Sequence, residues 1–434
     1  MGQYEIIGGR PLRGEIPIHG AKNSVLPILA ATLLCKETCV IENCPYIEDV
    51  ATAAEILTHL GCKVCHRGRE LLVDSSSAYR SHIPPQLMGK MRGAILFLGA
   101  LLSRFSEAEL SQPGGCPLGE RPIDLHLMGL RHMGASCEFR DGALCCKKER
   151  FAPCTIALPF PSVGATENLI LAALSCRGET ILCNAAKEPE IGDLIGFLCA
   201  CGAEIYGTDS SVLHIHGGKA LHGCRYCLMP DRMEAATYLA AAAATRGEVL
   251  LRGACPHHLT AVTEVLKGAG CEIREDKAHI YLRCQELSGA GVIRTAPYDG
   301  FPTDAQAPIM AAMVTAEGTT VFEENLFSNR LRHVPALNSM GARISAAKRC
   351  AVVQGVKTLH GAAAEATDLR GGAAIAIAML AAQGRSFLWD SGHIRRGYEN
   401  FEGVLRACGA RIQYTEGQSC LWTTKEKSVI PRQP

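Results

Sequence analysis

Six short stretches of this chain repeat one pattern at intervals of roughly 70 residues. They are Leu60-Gly61-Cys62-Lys63-Val64, Met133-Gly134-Ala135-Ser136-Cys137, Cys201-Gly202-Ala203-Glu204-Ile205, Ala269-Gly270-Cys271-Glu272-Ile273, Met340-Gly341-Ala342-Arg343-Ile344 and Cys408-Gly409-Ala410-Arg411-Ile412. In each, a helix-like segment reaches a glycine and passes straight into a strand, as expected where glycine ends a helix in the left-handed region. An Ala/Leu-rich segment precedes each mark, at 27–34, 95–105, 169–174, 235–244, 308–316 and 373–382, usually followed by a turn and a β-branched strand. The period is too long for a solenoid, so the chain should be six similar α/β units. Because the Ala/Leu segments are apolar on nearly all faces, the helices belong inside and the sheets outside.

Three units occupy 22–229 and three 230–434, which suits two domains of ordinary size. A strand over residues 4–13 precedes the first domain but fits a sheet of the second. The expected division is therefore 22–229, carrying a cysteine loop, and 1–21 plus 230–434, with two crossings that make a hinge. A cleft between hinged domains is a usual place for a small-molecule site.

With 47% hydrophobic and 20% charged residues, the 434-residue chain reads as globular. A net charge of +1 offers no broad field, so neither nucleic acid nor a membrane surface is an expected partner, and any anion site must come from placed Lys and Arg. The longest apolar runs, such as 371–382, fall short of a bilayer span. Met1-Gly2-Gln3-Tyr4-Glu5 lacks the basic and apolar parts of a leader, and Ile6 breaks the myristoylation pattern. Twenty-two cysteines without a secretion signal indicate a reducing cytosol, and a cytoplasmic protein is expected. Cys62-Lys63-Val64-Cys65 and Cys224-Arg225-Tyr226-Cys227 have zinc-type spacing, with His66 and His222 close by. Neither has a second ligand pair at the usual distance, so both read as ordinary thiols, and no metal or cofactor is expected.

One cysteine stands apart. Ser111-Gln112-Pro113-Gly114-Gly115-Cys116-Pro117-Leu118-Gly119-Glu120-Arg121-Pro122-Ile123-Asp124-Leu125 has three prolines without amide donors and three glycines, a composition for a loop rather than a helix or buried strand. A thiol on such a loop, near the guanidinium of Arg121, is a candidate nucleophile or proton donor. A small buried hydrophobe is the competing reading.

Together with that loop, Gly20-Ala21-Lys22-Asn23-Ser24-Val25-Leu26-Pro27, Phe301-Pro302-Thr303-Asp304, Asn329-Arg330, Thr367-Asp368-Leu369-Arg370 and Arg396-Gly397-Tyr398-Glu399 resemble the UDP-N-acetylglucosamine 1-carboxyvinyltransferase family of enolpyruvyl transferases. The likeness runs in order along nearly the whole chain. It implies a two-domain inside-out α/β barrel fold built from six repeated α/β units. It also implies transfer of the enolpyruvyl group of phosphoenolpyruvate to the 3-hydroxyl of UDP-N-acetylglucosamine, with release of phosphate, the first committed step of peptidoglycan synthesis.

The chemistry needs an acid, a base and a cluster of cations. The resemblance assigns the acid to Cys116, whose family equivalent forms an adduct with phosphoenolpyruvate and is alkylated by fosfomycin, and the base to Asp304, which would also suit a helix N-cap. Lys22, Arg121 and Arg396 would bind phosphate and carboxylate, with Arg92 and Arg330 nearby and Asn23 giving amide hydrogen bonds. Arg370 is either catalytic or part of a structural ion pair. For the nucleotide sugar the resemblance implies Arg121, Pro122, Ile123, Asp124 and Leu125 on the uridine side, Ser162, Val163 and Gly164 near the diphosphate, and the main chain of Leu326. His126, Glu188, Asp231 and Arg232 read as structural. Phe160, Ser328, Tyr298-Asp299 and Gly371-Gly372 depart from the usual family residues, none removing a catalytic group. Two alternatives remain: the same transfer to another acceptor such as shikimate 3-phosphate, and a non-catalytic nucleotide-sugar-binding paralogue.

Overall fold

The computed structural model describes residues 2–111 and 123–416, except for the side chain of Arg92. Cys116, Arg121 and Pro122 lie outside the described residues. The chain divides into two compact units, with cuts between His19 and Gly20 and between Met229 and Pro230.

Among the described residues, six four-stranded sheets share one topology. In the sheet of the third repeat, Gly178–Cys183 pairs antiparallel with Val212–Gly217, which carries Glu204–Tyr206 on its far side. The short strand Thr155–Ala157 runs parallel to Gly178–Cys183 at the other edge. The six marker glycines, 61, 134, 202, 270, 341 and 409, all have φ between +90° and +105°. A side chain would be strained there, so the repeated turn from helix to strand depends on glycine.

The strand expected over 4–13 is instead two strands in two different sheets. Gly2–Ile7 pairs antiparallel with Arg385–Asp390 and with Arg411–Thr415, completing the last repeat. Arg13–Pro17 lies parallel to Glu248–Arg252 in the fourth. The break is local chemistry: Gly9 has φ +83°, a Cβ on Gly8 would come 2.2 Å from the Met379 carbonyl oxygen, and Pro11 has no amide to give a ladder. Alternating hydropathy misses such a break because the apolar residues resume in phase beyond it. The other unit closes in a similar way, with Arg225–Cys227 parallel to Thr38–Glu42.

In each unit the sheets' apolar faces cover three buried helices. One unit holds Lys22–Ala31, Phe97–Phe105 and Val163–Ala173. The other holds Arg232–Ala244, Thr303–Met313 and Leu369–Ala381, which pack pairwise against one another. All thirteen residues of Arg232–Ala244 are buried, including Arg232 and Glu234 at its start. Alanine on all sides lets the helix backbones approach closely. Replacing a core leucine such as Leu239 by alanine should therefore leave a cavity costing about 2–5 kcal/mol.

Candidate active site

Asp304 lies in the first turn of Thr303–Met313, whose N-cap is Pro302, so its carboxylate sits at the positive end of the helix. The Arg330 Nη2 donates to Asp304 Oδ1 at 2.6 Å, and the Arg370 Nε donates to Oδ2 at 3.3 Å. Both arginines are 2% exposed and Asp304 28%, so a reactant can reach the carboxylate but not the two cations behind it. Burying the two guanidinium charges is tolerable because both pair with Asp304, although Nη1 and Nη2 of Arg370 find no hydrogen-bond acceptor among the described residues. Arg330 also donates from Nε to the Thr303 carbonyl at 3.2 Å. The guanidinium of Arg370 lies over the Tyr398 ring, 5.2 Å from its centroid, and the Tyr398 hydroxyl shares a 2.8 Å hydrogen bond with Thr237.

The backbone around this carboxylate is fixed by other acids. Glu324 accepts from the Thr303 hydroxyl at 2.9 Å and from the amides of Leu326 and Phe327 at 2.9 and 3.0 Å. That sets the turn in which Leu326 is half-buried. Asp368 caps Leu369–Ala381 by accepting from the amides of Arg370 and Gly371, which explains why Asp368 precedes Arg370: it fixes the helix start that aims the guanidinium. Arg396 closes the short 3-10 turn Ile394–Arg396, anchored by Asp390, which accepts from the amides of His393 and Ile394 at 2.7 and 3.1 Å.

In the other unit, Lys22 and Asn23 begin Lys22–Ala31. Lys22 Nζ is 2.9 Å from Asp49 Oδ2, with the lysine 12% and the aspartate 4% exposed. Ser24 donates to Asp193, which also accepts from the Tyr226 hydroxyl at 2.7 Å and from the Met229 amide at 3.3 Å. Burial holds the Asp193 carboxyl above the usual carboxylate range, opposed by these hydrogen bonds. Both helices carry a proline at their sixth position, Pro27 and Pro308. Neither can give the ladder hydrogen bond to the carbonyl four residues before it, in one case that of Asn23 and in the other that of Asp304.

Ser162 is the N-cap of Val163–Ala173, accepting from the Ala165 amide at 3.4 Å, with Val163 and Gly164 in the first turn. Ile123 precedes Asp124–His132, which begins with Asp124 and Leu125. His126 is buried beside Asn168, whose Nδ2 is 2.9 Å from its Nδ1, and Asn168 also donates to Ile95 and accepts from the Gly99 amide. Burial holds the imidazole down to about 4, so it is a neutral packing histidine. A Cβ on Gly164 would lie 3.2 Å from that ring. The acid partners Asp49, Asp193 and Glu324 were not singled out from sequence, since each resembles an ordinary helix or strand-end acid.

Within one unit, then, the structure brings together Asp304, Arg330 and Arg370; within the other it places Lys22, Asn23, Ser162, Val163 and Gly164 at helix starts. This architecture is that of an enolpyruvyl transferase. The chain is similar to the enolpyruvyl transferase NikO from Streptomyces tendae, with a TM-score of 0.87 at 27% identity over 95% of this chain and 99% of that one. EPSP synthase from Acinetobacter baumannii shares the fold at a TM-score of 0.74 and 19% identity, over 96% of this chain and 100% of that one. The sequence model of EPSP synthase (3-phosphoshikimate 1-carboxyvinyltransferase) matches residues 6–405. UDP-N-acetylglucosamine 1-carboxyvinyltransferase 2 of Caldanaerobacter subterraneus subsp. tengcongensis is 46% identical over 413 residues, 95% of this chain and 99% of that protein. The UDP-N-acetylglucosamine 1-carboxyvinyltransferase of Acidiphilium cryptum is 46% identical over 415 residues, with the same coverage. The chain belongs to the EPSP synthase family, on the UDP-N-acetylglucosamine 1-carboxyvinyltransferase branch.

Proposed function

We propose that this protein transfers the enolpyruvyl group of phosphoenolpyruvate to the 3-hydroxyl of UDP-N-acetylglucosamine, releasing phosphate, as the first committed step of peptidoglycan synthesis in the cytoplasm. The observation that carries this reading is likeness of 46% over nearly the full length of relatives bearing that name. Cys116 gives a proton to the methylene carbon of phosphoenolpyruvate while the sugar hydroxyl attacks the adjacent carbon and loses its proton to Asp304. Loss of a proton from the new methyl group then expels phosphate and restores the double bond. Lys22, Arg92, Arg121 and Arg396 hold the phosphate and carboxylate, with Asn23 as an amide donor. Arg330 and Arg370, too buried to meet substrate in this structure, act as positioning residues for Asp304. Pro122, Ile123, Asp124, Leu125, Ser162, Val163, Gly164 and the Leu326 main chain hold the nucleotide sugar.

A phosphate-release assay separates this reading from its rivals. Release with phosphoenolpyruvate and UDP-N-acetylglucosamine is expected. Release only with shikimate 3-phosphate as acceptor would replace the substrate, and nucleotide-sugar binding without release would leave a non-catalytic paralogue. Cys116→Ala should lower turnover about 100-fold or more with nucleotide-sugar affinity nearly intact. Cys116→Asp should keep activity and lose fosfomycin sensitivity, because a carboxyl group can give the proton but is not readily alkylated.

A further inference from the structure

Cys35, Cys39 and Cys201 are fully buried, and their three sulfurs all lie within 4.8 Å of one another. Cys224 extends the group, with its sulfur 3.3 Å from that of Cys201. None of the four belongs to the site described above, and all lie in the unit that contains Lys22.

The backbone builds this cluster from separate segments. Cys35 ends the 3-10 turn Thr32–Leu34, with its carbonyl accepting from the Ser75 hydroxyl, and Cys39 lies on the following strand Thr38–Glu42. Cys201 caps the C-terminus of Pro189–Ala200, and its carbonyl accepts from the His222 amide at 3.0 Å. The Cys224 carbonyl accepts from the Val40 amide at 2.8 Å, in the parallel pairing of Arg225–Cys227 with Thr38–Glu42. The backbones of Cys35, Cys201 and Cys224 are thus held by hydrogen bonds to their carbonyls, while the side-chain torsions are left to adjust.

Sequence spacing alone points to the wrong partner. Cys224 and Cys227 are three apart on an extended segment, so their side chains leave by opposite faces, and Cys227 is exposed. The pair that works is Cys35 and Cys39, with three residues between them, a spacing within the range of zinc sites. A tetrahedral zinc–thiolate centre places its sulfurs about 3.8 Å apart. The sulfurs of Cys35, Cys39 and Cys201, already within 4.8 Å of one another, close on an ion by small side-chain rotations, and that of Cys224, outside this mutual set but 3.3 Å from the Cys201 sulfur, joins them by a larger one. An all-sulfur cage with no carboxylate selects a soft or borderline ion over magnesium or calcium. A pair elsewhere in the unit gives an internal contrast: Cys137 and Cys146 face each other across the strands of the second repeat's hairpin, but two sulfurs alone make no tetrahedral site.

We propose that Cys35, Cys39, Cys201 and Cys224 form a structural zinc site that ties the first repeat of this unit to the third. The centre has four protein ligands, so it is closed and non-catalytic, and it binds as the four thiols release their protons.

The test uses full-length protein purified without metal-affinity chromatography, under reducing conditions. Elemental analysis should find about one zinc per chain after reconstitution and dialysis. The double variant Cys39→Ser/Cys201→Ser should hold less than about a tenth of that, while Cys137→Ser keeps it all. Should the double variant fail to fold, cobalt replacement in the unaltered protein still decides, since four thiolates give visible tetrahedral bands and intense near-ultraviolet charge transfer. Zinc below about a tenth per chain after reconstitution, cobalt spectra without sulfur charge transfer, or a Cys201–Cys224 disulfide in the anaerobically purified protein would each overturn the proposal.

Discussion

The two units use one helical frame but begin their core helices differently. Arg232–Ala244 and Leu369–Ala381 are capped by Asp231 and Asp368, and Thr303–Met313 carries Asp304 in its first turn. Lys22–Ala31, Phe97–Phe105 and Val163–Ala173 have no acid in their first turns, and of their N-caps only Ser162 gives a side-chain oxygen. A helix N-terminus carries a partial positive charge that an anion neutralises. One unit supplies those anions from the caps and first turns of its own helices; the other does not, and there the nearby acid Asp49 pairs with the Lys22 side chain instead. On the proposed reaction, the unit with Lys22 and Ser162 carries the substrates' negative charge, and the unit with Asp304 keeps a carboxylate fixed against two arginines.

The largest expected effect falls on the Asp304 cage. Asp304→Ala takes from the buried Arg330 and Arg370 the carboxylate that both contact and should cost about 3–5 kcal/mol of stability, with turnover lowered at least about 100-fold. Asp304→Asn, which keeps the shape, should lose comparable turnover at a smaller cost in stability. Denaturant unfolding and phosphate release measure the two effects separately. An Asp304→Ala protein as stable as wild type would break the contrast, because the cage would then not be a closed ion network.

Next in size is the pH dependence set by His126. Its folded value, held down to about 4 by burial, lies below the ordinary 6.5, so the unfolded chain takes up the proton first as pH falls. Its contribution to stability is complete above pH 6.5 and is lost as pH falls to about 4, reaching about 3 kcal/mol for a shift of that size. His126→Gln removes the dependence. The stability difference between wild type and variant should therefore move against wild type across that window, and a difference constant in pH would mean the ring is solvated. His333 in the other unit is likewise held down to about 4 by burial, so this feature does not distinguish the two halves.

Lys22 gives a smaller change. Lys22→Gln removes a charge-assisted contact of about 1.5–3 kcal/mol, so phosphoenolpyruvate affinity should fall about 10- to 100-fold. Asp49→Asn keeps the ammonium and should weaken affinity much less. Equal losses in the two variants would show that the ion pair, rather than the lysine's charge, matters to the substrate.

These contrasts differ in how far the sequence could show them. Glycines at six regular positions and six all-apolar helices made the repeats legible, because both depend on local backbone chemistry. The Asp304 cage was half legible: Arg330 and Arg370 stand in recognisable motifs, yet their burial behind the carboxylate comes from packing between distant segments. Asp49 and the Cys35, Cys39, Cys201 and Cys224 cluster join residues whose neighbours in sequence are uninformative. The division of residues 4–13 into two strands was hidden because Gly8 and Gly9 interrupt an apolar pattern without changing its phase. The Cys116 loop had the reverse character, since its chemistry is written in consecutive residues.

The smallest effect tests the contrast most directly. Ser162 accepts from the Ala165 amide at a long 3.4 Å, so Ser162→Ala should cost about 0.5–1 kcal/mol, the low end for an N-cap. If the diphosphate of the nucleotide sugar binds at this helix start, it supplies the missing acceptor itself. The deficit in thermal stability should then shrink when UDP-N-acetylglucosamine is added. Asp368→Ala removes a cap from Leu369–Ala381 in the other unit, accepting from two amides at 3.1 Å, and its deficit should be the same with and without the nucleotide sugar. A Ser162→Ala deficit equally insensitive to ligand would place the diphosphate elsewhere and remove the functional meaning of the acid-free helix starts.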